Sequence, residues 1–202
     1  MIGNIEKLLA GLKWADRKLF RNLFKREAVD FNSDGSLLKV GGLYGVSGRY
    51  ILGDGTVHNN TITAEGQLYL LSTGLAGGTA EAAWYLALWN GGVAPAESWT
   101  ATSFSTTAGE IVSATEGYSE ATRPQWVPDT PLAEPMSNSA SPAQFTIVTA
   151  TTLTIGGAAL ISSSGKGATT GILMSAAAFS PARTHNNGDI FSVIYEESLQ
   201  PL

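Results

Sequence analysis

Glu120 and Arg123 stand three residues apart in GYSEATRPQW, residues 117–126, between Tyr118 and Trp126. In a chain only 14% charged, such a pair invites a chemical reading. One option is a ligand site with Arg123 as an anion clamp. The other is a structural corner, in which Pro124 pushes Arg123 toward extended backbone. There the ion pair lets the chain turn while the two large rings pack. The corner, made of Tyr118, Glu120, Arg123 and Trp126, is the expectation, because a lone Arg with one Glu supplies no further chemistry.

The remaining reactive side chains are sparse. His58 and His185 sit in VHNN and THNNGD, where Asn supplies turn conformations. Asp189 beside the second invites a metal reading, but there is no HExxH or His-x-Asp spacing, and exposed turns are expected. The chain contains no cysteine, which excludes disulfides, thiolate nucleophiles and cysteine zinc sites. GVSGR, 45–49, lacks the spacing of a nucleophile elbow. SSSGKGATTG, 162–171, carries Leu160 where a phosphate loop needs glycine, and Gly167 follows Lys166 where it needs Ser or Thr. A hairpin tip is the reading. Glu116 with Glu120, and Glu196 with Glu197, resemble ordinary surface acids rather than a sugar-cleaving pair. Beyond residue 50 the only cations are Arg123, Lys166 and Arg183, too few to track phosphates. The expectation is therefore a protein with no enzyme activity, no cofactor, no metal and no nucleic-acid partner.

The elements that would position these residues follow from periodicity. Residues 4–26 predict an amphipathic helix capped by Asn4, with Ile5, Leu8, Leu9, Leu12, Ala15, Leu19 and Leu23 on one stripe. Trp14 falls on the basic face, which a buried stripe does not explain. Residues 1–30 hold seven basic and four acidic residues, a net +3, whereas the rest of the chain carries −8. Such a helix can lie on a membrane, touch nucleic acid, or pack on protein. Protein packing is favoured, because acids dilute the positive charge. No apolar run reaches the ~18 residues of a membrane span. The N-terminus has no signal-peptide core, so a chain made and used without secretion is expected.

Residues 30–62 are glycine-rich yet too apolar for a free linker. They predict an extended arm with short strands, with Leu43 and Tyr44 among its apolar pairs and a turn at Asp54-Gly55. Thr63 caps a short helix over 64–73. AAWYLALWN, 82–90, is read as a buried strand, with a helix competing. Residues 95–116 are Ser/Thr-rich and are read as a surface excursion. AQFTIV (143–148), TTLTIGG (151–157), AALISSS (158–164), GILMSAAAF (171–179) and DIFSVIYEE (189–197) are strand-like, separated by short turns. In the last, the side bearing Phe191, Val193 and Tyr195 is the expected core face.

The fold class is thus mainly β, an antiparallel β-sandwich or barrel with an N-terminal amphipathic helix and an extended Gly-rich arm. The boundaries are 1–29 for the helix, 30–62 for the arm and 63–202 for the β-rich domain. Leu8, Leu12, Leu19, Leu23, Leu43 and Tyr44 are the expected interaction residues.

The series AAWYLALWNGG, GEIVSATEGYSEATRPQW, MSNSASPAQFTI, ALISSSGKGATTGILMSAAAFSPART and DIFSVIYEESL resembles a group of tailed-bacteriophage structural proteins. The resemblance covers roughly 63–199 and leaves out the helix and the arm. It implies a β-rich virion component on the capsid surface, such as a capsid decoration or cement protein, with no enzyme activity. On that reading the chain forms a homotrimer and its partners are the major capsid protein or other virion proteins. A head-fibre base, collar or tail-fibre adaptor remains an alternative. So does a carbohydrate- or host-surface-binding module, with Trp84, Trp89, Trp99 or Trp126 as its stacking platform.

Overall fold

The computed structural model describes the backbone of residues 29–31, 37–40, 44–130 and 134–201, and the side chains of 46–130 and 134–198. The helix expected over 4–26 lies outside the described residues. The chain divides into two compact units, Met1–Gly45 with Gln200–Leu202, and Val46–Leu199. In the first unit, β1 (Val29–Phe31) and β2 (Leu37–Val40) pair antiparallel.

The second unit is built on two antiparallel sheets packed as a sandwich. One sheet runs in the order β4 (Val57–Asn59), β3 (Tyr44–Leu52), β13 (Ile190–Pro201), β10 (Ala143–Val148), β7 (Gly117–Tyr118). Strand β9 (Met136–Ser137) adds to β13. The other sheet runs β5 (Thr61–Ile62), β12 (Leu173–Asn186), β11 (Thr152–Ile161), β6 (Trp84–Trp89), β8 (Gln125–Trp126). Period-two sequences make the facing layers. Ala143, Phe145 and Ile147 of β10 and Phe191, Val193 and Tyr195 of β13 point inward. They meet Leu86 and Leu88 of β6, Leu153, Ile155 and Leu160 of β11, and Phe179 of β12. The aromatic side of DIFSVIYEE is the core face, as its pattern predicts.

Three expectations need correction. First, TTLTIGG and AALISSS are one strand, β11, rather than two. The Gly156-Gly157 pair does not end it; a register shift against β12 falls there. A Cβ on Gly157 would run into the Trp89 indole and the Ala177 carbonyl, so glycine is what lets that ring approach the strand. Second, β3, β4 and β5 fall within the segment expected as an arm, yet they are members of the two sheets, so the sandwich starts before residue 63. Tyr50 and Leu52, two residues apart on β3, are both buried, the period of an ordinary core strand.

Third, the Ser/Thr-rich stretch after residue 95 is not a solvated excursion. It covers the outer face of the second sheet. Thr100 and Ser103 form a capping box that starts α2 (Ala101–Phe104), which continues into a π-helical turn, Ser105–Gly109. The Thr100, Ser103 and Thr106 hydroxyls bond the backbone, and Trp99, Ala101, Phe104 and Ala108 face the sheet. They bury against Ala87 and Trp89 of β6, Ala159 and Ile161 of β11, and Leu173 and Ala176 of β12. Covered on both faces, β6 and the second half of β11 read as continuous apolar runs instead of alternating ones.

Helix α1 (Ala64–Leu75) lies against β12. The Thr63 hydroxyl accepts from Gly66 N at 3.0 Å, and Gly66 sits where a Cβ would strike the Met174 backbone. Glu65 Oε2 accepts from Ala101 N at 2.8 Å and Leu173 N at 2.7 Å, tying α1 to both α2 and β12. Among the described residues, no helix is long and apolar enough to cross a membrane.

Candidate functional site

The corner around Arg123 draws on three distant stretches of chain. The π-helical turn delivers Glu110, which bridges to Trp89 of β6. The turn between β7 and β8 delivers Arg123, and the β11–β12 hairpin delivers Ser163 to Gly167. Arg123 grips Glu110 with two parallel bonds, Nε to Oε1 at 2.7 Å and Nη2 to Oε2 at 2.9 Å. Both side chains are fully buried. Arg123 Nη1 donates to Ser163 O at 2.8 Å, and its backbone N–H donates to Ser164 O at 2.8 Å. Gly167 N completes the set by donating to Glu110 Oε2 at 3.1 Å. Lys166 reaches back, donating to Tyr118 O at 2.7 Å with Nζ 3.6 Å from the centre of the Tyr118 ring. Burial lowers the Lys166 pKa against the opposing pull of Glu120 and Glu110, and burial together with Glu110 raises that of the Tyr118 hydroxyl.

The residues singled out in GYSEATRPQW have different partners from those their spacing implies. The carboxylate paired with Arg123 is Glu110, thirteen residues upstream, not Glu120. Glu120 instead accepts from Thr146 N through both oxygens, at 3.0 and 3.1 Å, and holds β10. The two rings do not pack on each other. Tyr118 meets Phe145 edge-on at 5.0 Å, whereas Trp126 meets Tyr195 at 5.9 Å and donates its indole N–H to Tyr195 O at 3.0 Å. With 1% exposure and its guanidinium held by Glu110 and Ser163, Arg123 cannot clamp a ligand anion from solvent. Its geometry is that of a bracket that locks the hairpin tip to the sandwich. Glu110 stands in GEIVS without a cation near it in sequence. The available signal was a solitary acid between Gly109 and Ile111 in a charge-poor stretch.

The other reactive side chains serve packing. His58 is buried on β4 rather than exposed in a turn, its ring 4.9 Å from Phe179, and burial lowers its pKa. His185 lies on β12 against Phe191, with Nδ1 3.6 Å from Asp189 Oδ2. Among the described residues, no three His, Asp or Glu side chains gather as a metal site. SSSGKGATTG forms the β11–β12 connection, and its lysine is spent on Tyr118. Trp89, Trp99 and Trp126 are buried, and Trp84 is half-buried.

Leu8, Leu12, Leu19, Leu23 and Leu43, expected as interaction residues, lie outside the described residues. Tyr44 opens β3, with its side chain outside them. A different apolar face is described. Leu68, Leu71 and Leu75 recur at helical spacing on α1 and are 67%, 58% and 84% exposed. The same helix presents Gly66, Tyr69 and Leu70 toward the sandwich. An exposed three-leucine stripe on an otherwise anchored helix is the kind of surface that partners cover.

Comparison with protein families, with curated proteins and with solved structures finds no match.

Proposed function

We propose that this chain is a structural protein of a tailed-phage virion, most simply a capsid decoration or cement protein that acts as a homotrimer on the capsid surface. Its work is interfacial: it covers surface between itself, its copies and the major capsid protein, and makes or breaks no covalent bond. The observation that carries this reading is the leucine stripe of α1, held out from a sandwich whose loops are locked by buried polar brackets. The resemblance of the series from AAWYLALWNGG to DIFSVIYEESL to phage structural proteins supports the same reading. So does the placement of cations, since Arg123, Lys166 and Arg183 are all engaged within the chain.

Each leucine removed from water contributes ~1.5–3 kcal/mol, much of it offset by the cost of association. A symmetric shell repeats the contact many times, so a modest gain per copy still opposes rupture. The test is mass spectrometry of purified virions of the encoding phage, with electron microscopy to place the density. The chain should be present in stoichiometric amount on the shell. Its absence from particles, or a place at the collar or fibre base, would overturn the decoration reading.

A further inference from the structure

Between α1 and the open edge of the sandwich lies a cavity of about 350 Å³. Tyr69, Trp84, Trp126, Met136 and Met174 are among the residues of its wall, and Glu197 of β13 lines it together with Glu134. The volume is that of a small-ligand site, and the lining is apolar with a few polar groups, the usual make-up of such sites. Glu197 is the unusual member. The Tyr195 hydroxyl bonds its carboxyl but leaves Oε1, which is buried, without a hydrogen-bond partner among the described residues. The four cationic side chains described are committed elsewhere: Arg49 to Glu196 at 2.6 Å, Arg123 to Glu110, Arg183 to Asp54, and Lys166 to Tyr118. A buried carboxylate oxygen without a donor is costly, and chains rarely keep one without use.

We propose that this cavity binds a primary ammonium group on an apolar stem, with Glu197 as its counter-ion and the Trp84, Trp126 and Tyr69 rings enclosing the stem. The chemistry favours this class over a neutral hydrophobe. An apolar ligand would leave Glu197 Oε1 without a donor, whereas an ammonium supplies up to three N–H groups and gains attraction from the ring faces. An anionic ligand would meet two carboxylates. The group can come from a free aromatic amine or from a lysine side chain offered by a neighbouring protein. Burial holds the Glu197 carboxyl up at about 7, against an ordinary value of 4.5. The other titratable groups near it are Tyr50 and Tyr195, both kept neutral by burial, and Glu134 on the cavity wall. A cation beside Glu197 stabilises its ionised form, so binding below pH 7 must expel a proton. The site is independent of whether the chain joins a particle.

The experiment is titration calorimetry of the full-length protein with phenethylamine, with Nα-acetyl-lysine methylamide and with the neutral isostere 2-phenylethanol, alongside tryptophan fluorescence. At pH 8 at least one amine should bind ten times more tightly than the alcohol and change the tryptophan emission. At pH 6 it should release a proton, seen as a heat that varies with the buffer. Glu197→Gln should erase both the preference and the proton release; Glu134→Gln should leave the proton release in place. A tighter phenethylamine assigns the source to a free aromatic amine, and a tighter lysine amide to a neighbour's side chain. Equal binding of amine and alcohol, no binding of either amine at 10 mM concentration (roughly the weakest useful affinity), or an unchanged preference in Glu197→Gln would overturn the proposal. The ligand comparison on the unmodified protein stands even if the variant fails to fold.

Discussion

Removing both partners of the Glu110–Arg123 bracket should destabilise the sandwich far less than the two single removals added together. In Arg123→Met, Glu110 keeps only the Gly167 N–H, at 3.1 Å, inside a site from which water is excluded. The bracket also loses the bond to Ser163 O. A buried charge left alone in this way costs about 3–5 kcal/mol. Glu110→Met strands the guanidinium with the Ser163 carbonyl alone, and a cost of similar size is expected. The double variant removes both charges and puts two flexible apolar chains in their place. What remains is the loss of partners for Ser163 O and Gly167 N, worth roughly 1–3 kcal/mol each if both stay buried. The double variant should therefore lie within about 2–6 kcal/mol of the parent, against about 6–10 for simple addition of the singles. The assay is urea denaturation followed by tryptophan emission, with the four proteins compared as a cycle. If the double variant is as destabilised as the sum of the singles, the two side chains do not act as a unit and the bracket is misread. If Arg123→Met costs less than about 1 kcal/mol, the corner is solvated and its role falls with it.

Glu197 sets a pH dependence of definite sign. Its carboxyl is raised to about 7 from 4.5, so the folded chain holds a proton there that the unfolded chain has released. Stability from this group is complete below pH 4.5, falls as pH rises to about 7, and is flat above. The total loss is on the order of 3 kcal/mol; Glu197→Gln should be the more stable form at pH 8 and gain nothing at pH 4.5, as read from urea midpoints. Gly157→Val should cost more than about 3 kcal/mol by thermal melting, since the new side chain and the Trp89 indole claim one volume. Gly66→Ala should loosen α1 from β12 and speed amide exchange in Ala64–Leu75, while leaving the β10 and β13 amides protected. Changing Leu68, Leu71 and Leu75 together to Gln should leave the melting temperature within a few degrees and lower the sedimentation mass toward that of a monomer. A trimer unchanged by that substitution would take α1 out of the interface.

Strands and turns were legible in the residues, because their signals are local. AQFTIV and DIFSVIYEE alternate with period two, and Thr63 has the oxygen a helix start needs. Each depends on neighbours within a few positions, so type and spacing suffice to place it. The misread segments share the opposite property. The helical cover over Trp89 looked solvated, because the Thr100, Ser103 and Thr106 hydroxyls bond its own backbone while its four apolar side chains are sheltered by strands far away in sequence. Gly156-Gly157 looked like a break until the ring lying over it was known. Glu196 and Glu197 looked alike, yet one pairs with Arg49 at the surface and the other backs onto a cavity.

Chain order alone thus settled that this is an antiparallel β protein, charge-poor and without thiol chemistry. It also settled which side of its last long strand is apolar. Which carboxylate Arg123 holds, which glutamate loses its water and which leucines stay outside were settled by three-dimensional packing. The reason is range. Backbone preference and side-chain alternation act between adjacent residues, whereas desolvation and ion pairing depend on whatever the fold happens to bring alongside.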